Sequence, residues 1–155
     1  MNTLIKILAI GIIAALLPAE INAAKSSHAL VKATDAKKIQ ALIRSTNYKK
    51  VTENDYVAVR QHLVSLVKAC DISTDEGRRT AAILYLAVIN FGQYSRNPDG
   101  NRDHVTQGWQ DMKAGDFEKD LRGMNAEQFH KMVDEKYPID EIKLREEFQS
   151  ARKPK

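Results

Sequence analysis

The chain has 155 residues, 43% of them hydrophobic and 28% charged, with a formal net charge of +4 and a single cysteine. One cysteine excludes an internal disulfide framework. The lysines are not interleaved with the aromatic residues on which single-stranded nucleic acid stacks, so the small positive excess does not mark a nucleic-acid binder.

Residues 1–23 are expected to form a secretory signal peptide. "MNTLIK" places one Lys ahead of the apolar run "ILAIGIIAALLP", and "AEINAAKSS" supplies small residues for cleavage after Ala23 or, as second choice, Ala24. The apolar run is shorter than the roughly 20 residues that span a bilayer, so it is read as a signal and not as a retained anchor. Removal takes away one Lys and one Glu and leaves the net charge at +4. The remainder suits a single core. The expected location is exported, periplasmic or secreted.

Residues 24–33 are polar and aperiodic and are expected to be a flexible lead to a helical domain over 34–151. Thr34 or Asp35 caps a first helix with Ile39, Leu42 and Ile43 on one face, and Asn47 ends it. Thr52 and Asp55 have capping-box spacing, and Tyr56, Val59, Leu63, Leu66, Val67 and Cys70 follow at steps of three and four, giving a helix over 53–70. Ser73 and Glu76 repeat the capping-box pattern before an apolar run, Ala81 to Phe91. A strand at "ILYLAVINF" competes there, but length and the cap upstream favour a central core helix.

After an Asn-Asp-Gly loop, Val105, Trp109 and Met112 predict a helix over 103–112, broken at Gly115 and followed by a short turn anchored by Phe117 and Leu121. Asn125 caps a helix with Phe129, Met132 and Val133 inward, and Pro138 ends it. Asp140 opens a last helix with Ile142, Leu144 or Arg145, and Phe148 on one side, and residues 152–155 are left as a basic tail. The expected fold is all-α, a compact bundle of about six helices in one domain.

The stretch "QYSRNPDGNRDHV" sets oxygen-bearing side chains at alternate positions around Gly100. Read as a calcium loop, Ser95, Asn97, Asp99 and Asp103 take ligand positions, but Thr106 stands where a bidentate Glu belongs, and Pro98 and Arg102 are ill placed for a dication. "NPDG" fits a type I turn at all four positions. The stretch is read first as a rigid exposed turn whose function is open; the other reading takes Tyr94, Arg96, Asn97, Asp99, Asn101, Arg102 and Asp103 as a partner-binding surface on that turn, of residue types that are frequent at protein interfaces.

Other candidates are weaker. Glu127 and His130 form one Glu-x-x-His pair, half of a di-iron bundle site, with no second pair. Cys70 is expected to be buried, with an intermolecular disulfide or a nucleophile as alternatives; His62, two helical turns away, is not in reach, and no nucleophile elbow, HExxH or phosphate loop is present. No catalytic residue, metal site or cofactor is assigned. In size and layout only, the chain resembles the periplasmic immunity proteins that neutralise cell-wall amidases. The resemblance implies an inhibitor-like protein-binding module without enzymatic activity, whose partner is another protein; a homodimer is possible, and nucleic acid and a stable membrane anchor are not expected. An ion- or ligand-binding protein using the 97–103 loop is the alternative, with a hydrolase built on Cys70 behind it.

Overall fold

A computed structural model describes residues 27–154, so the expected signal and its cleavage point lie outside the described residues. Among the described residues, a helical turn over 27–30 is followed by six longer α-helices: α1 Ala36–Ser45, α2 Glu53–Lys68, α3 Asp75–Arg96, α4 Gln107–Leu121, α5 Ala126–Lys136 and α6 Glu141–Arg152. Two 3-10 turns, Tyr48–Lys50 and Asp103–Val105, join α1 to α2 and precede α4. No strand occurs among the described residues, and none of their helices is long and apolar enough to cross a membrane.

Each helix begins at a side-chain cap, which satisfies backbone N–H groups that have no partner inside the helix. Asp35 accepts from Lys38 N at 2.7 Å and Asp140 from Lys143 N at 2.9 Å. Thr52 with Asp55, and Asn125 with Gln128, form reciprocal capping boxes. The start of α3 differs from expectation by one residue. Asp71 takes both the backbone N–H and the hydroxyl of Ser73, so Thr74 becomes the cap and accepts from Gly77 N at 3.0 Å. A Cβ at Gly77 would sit 1.7 Å from the Asp71 carbonyl oxygen, so the turn before α3 closes only over glycine.

The apolar run expected in the centre of the fold is there. Every residue from Ala81 to Val88 is buried, and α3 packs against α1, α2, α4 and α6, while α2 also touches α5 and α6. Burial of each large apolar side chain in this core, such as Phe91, Leu63, Phe129 or Leu144, contributes about 1.5–3 kcal/mol. Rings bind the layers: Tyr56 stacks on Phe91 at 6.1 Å and tilts against Phe148 at 5.2 Å, and Tyr48 meets Tyr94 edge-on at 5.3 Å.

Four local expectations are corrected. The lead is ordered from Ser27 onward, with a helical turn over 27–30 and Leu30 fully buried, because its few apolar side chains reach the core. α4 runs straight through Gly115; its inward stripe is Gln110, Ala114, Phe117 and Leu121, and Met112 is 55% exposed. On α6, Leu144 and Phe148 are buried, whereas Ile142 points to solvent and Arg145 pairs with Glu53 and Glu141. Arg152 does not belong to a free tail: it donates to the carbonyl oxygens of Ser95 and Tyr48, fastening the end of α6 to the end of α3.

Candidate functional site

The predicted binding loop follows α3 and spans 97–106. Three of its polar side chains, Asp99, Asn101 and Asp103, also make local contacts. Asp103 N donates to Asn101 Oδ1 and Asn101 Nδ2 donates to Asp103 Oδ2, both at 2.9 Å, while Asp99 pairs with Lys49 at 3.0 Å. Asn97, Asp99, Asn101 and Asp103 are exposed. Arg102 turns inward instead. It donates to Pro98 O at 2.7 Å, and its guanidinium lies over the rings of Tyr48 and Tyr94, 4.8 and 5.6 Å from their centroids. His104 packs between Tyr94 and Trp109.

Tyr94 is therefore a buried anchor under the loop, 2% exposed, and not a contact residue. Burial pushes its phenol up to about 12, with Arg102 acting in the opposite direction. Arg96 pairs with Glu147 of α6. The structure divides the predicted set into four exposed acceptors, two groups that hold the loop from inside, Tyr94 and Arg102, and one member of a separate cluster, Arg96.

That cluster was not predicted. Arg60 on α2 is 3% exposed, donates through NH1 to the Tyr56 hydroxyl at 2.6 Å, and lies 3.4 Å from Glu147 Oε1. Tyr56 donates to the same Glu147 oxygen at 2.8 Å, and Arg96 pairs with it at 2.8 Å. The Arg60 guanidinium also lies over the rings of Tyr56 and Tyr137. It fits because Gly92 of α3 has no side chain; a Cβ there would meet Arg60 NH1 at 3.1 Å. Burial raises the Tyr56 phenol well above its ordinary range, and the hydrogen bond to Glu147 adds to this. One signal was available in the sequence: Arg60 falls four residues after Tyr56 and three before Leu63, a cation inside an otherwise apolar stripe.

This knot forms one wall of a cavity of about 260 Å³ between α3, α6 and the end of α5. A second cavity, of about 380 Å³, is lined by Tyr85, Phe117, Leu121, Met124, Phe129 and Met132, with Asp120 and Lys136 also on its wall. Tyr85 of this second cavity and Tyr137 of the first meet edge-on at 5.3 Å.

The remaining candidates are held apart. Cys70 is half-buried at the end of α2, its thiol donates to Leu66 O at 3.3 Å, and burial raises its pKa, which opposes a thiolate nucleophile at neutral pH. His62 Nε2 is engaged with Ala33 O and His130 Nε2 with Lys68 O, each at 2.7 Å. Glu127 is exposed, and among the described residues no three His, Cys, Asp or Glu side chains gather as a metal site. Compared with known proteins, the chain matches no family model, no curated protein and no solved structure.

Proposed function

We propose that the chain is a small exported binding module that engages another protein through the 97–103 loop, acting as an inhibitor or immunity-like partner of a secreted or cell-wall enzyme. The observation that carries this reading is the clamped loop: four exposed acceptor side chains ride on a backbone held by Arg102 between two buried tyrosines. A loop fixed before binding loses little conformational freedom on association, which favours affinity without a large interface. Its acceptors suit a partner surface rich in Arg, Lys or backbone N–H groups. Export rests on the three-part layout of residues 1–23.

A photo-crosslinking amino acid at Asn101, in the protein expressed in its own host, tests the reading. A discrete adduct with one extracytoplasmic protein is expected from Asn101 and not from a control at the exposed Glu127 of α5. Its yield should fall when Asp99→Ala and Asp103→Ala are combined. Equal adducts from both positions, or none from Asn101, refute the loop as the binding surface.

A further inference from the structure

We propose that the cavity beside the Arg60–Glu147–Arg96 knot is a binding site for a small organic acid, its carboxylate held by Arg96 and Lys136 and its body lying on the apolar wall. Three cations, Arg60, Arg96 and Lys136, line this cavity against one carboxylate, Glu147, so its lining carries two uncompensated positive charges. Such a concave, same-sign lining concentrates field and attracts an anion.

The donors are not exhausted by the protein. An arginine offers five N–H groups. Arg60 uses NH1 for Tyr56 and Glu147, and its buried Nε has no hydrogen-bond partner among the described residues. Arg96 spends Nε on Gly92 O and NH1 on Glu147, leaving NH2 for a ligand. Lys136, the last residue of α5, is exposed and has no ion-pair partner among the described residues.

The apolar members of the lining set the rest of the chemistry. Val88, Ile89 and Pro138 are apolar, and the face of Tyr137 is already used by a guanidinium. At about 260 Å³ the space falls below the roughly 300–1,000 Å³ of sites for drug-sized ligands, so the occupant is a short acid. A free inorganic anion would leave the apolar wall uncovered.

The test is a titration of the whole protein with isovalerate, isoamyl alcohol and inorganic phosphate, followed by amide NMR shifts. Isovalerate should give saturable shifts at Ile89, Gly92 and Tyr137; the alcohol, of similar shape without charge, should give none, and phosphate should bind more weakly. Lys136→Gln, which removes no internal bond, should weaken isovalerate about tenfold, the scale of one charge-assisted hydrogen bond. Arg96→Gln should weaken it at least as much. No saturable shift at tens of millimolar isovalerate, equal binding of the alcohol, phosphate binding as tight as isovalerate, or unchanged affinity in Lys136→Gln would each overturn the proposal. Because the loop is not probed, failure here leaves the protein-binding reading standing.

Discussion

Replacing Glu147 by Leu and Arg60 by Met tests whether the buried knot is held by its charges or merely tolerates them. Arg60 is 4% exposed at the side chain and Glu147 is 32% exposed. Glu147→Leu leaves the Arg60 cation with the Tyr56 hydroxyl and two ring faces as its only compensation. Stranding a buried charge costs about 3–5 kcal/mol, and the partial access of water around position 147 brings the expected loss to about 2–3 kcal/mol. Arg60→Met removes the charge itself. Glu147 then keeps Tyr56 and Arg96 as partners, and the loss of two cation–π contacts is offset by apolar packing, so the expected cost is about 1 kcal/mol or less. For a domain of this size 1 kcal/mol moves the midpoint by roughly 3–5 °C, so calorimetry should separate the two variants by at least about 3 °C. The double variant should be more stable than the sum of the singles by about 1–2 kcal/mol, because it has no stranded cation. Additive losses, or an Arg60→Met variant less stable than Glu147→Leu, would refute the argument that the buried cation is the expensive member.

Gly115→Ala should stabilise the protein by about 1 kcal/mol in urea denaturation, since Gly115 lies inside α4 and a Cβ there meets nothing within 4 Å. Arg102→Ala should cost about 1–2 kcal/mol through its lost carbonyl bond and ring contacts, and hydrogen exchange should quicken across 97–105 with the helices unaffected. The acid limb of stability should follow Glu53, Asp71 and Asp111, whose pKa values are lowered by hydrogen bonds from Arg145, Ser73 and Gln107. A lowered folded pKa means the unfolded chain binds more protons, so their contribution is present above the ordinary values of 4.5 for Glu and 3.8 for Asp and is lost as pH falls below them. The alkaline limb runs the other way. Burial raises Tyr48, Tyr56, Tyr85 and Tyr94 above 10, so stability should drop as pH rises past 10, with ionisation of these phenols and unfolding seen together in the tyrosinate absorbance band.

What could be read in advance was local. The caps at Asp35, Thr52, Asn125 and Asp140 are sequence-adjacent hydrogen bonds, and the apolar stripes of α1, α2, α3 and α5 need only a period of 3.6. Gly115 misled because a helical glycine costs only about 1 kcal/mol, less than the burial gained by carrying Ala114, Phe117 and Leu121 along one face. The turn at Asn97–Gly100 was legible from its residue types, yet the inward turn of Arg102 was not, because Tyr48 lies on a different segment. The knot was hidden for the same reason: Arg60, Arg96 and Glu147 come from three helices, and only assembly brings them together.

These long-range links converge on the last turns of α3. Gly92 makes room for Arg60, Arg96 reaches Glu147, the Ser95 carbonyl receives Arg152, and Tyr94 lies under Arg102. The four links tie α3 to three segments: α2, α6 at two points, and the loop. Tyr48 joins two of them, since its carbonyl accepts from Arg152 while its ring carries Arg102. The exposed loop acceptors and the basic cavity thus stand on one rigid support built from helix ends, where unpaired carbonyls are available to arginines. Core packing positions α3, and the arginines convert that position into a fixed polar surface.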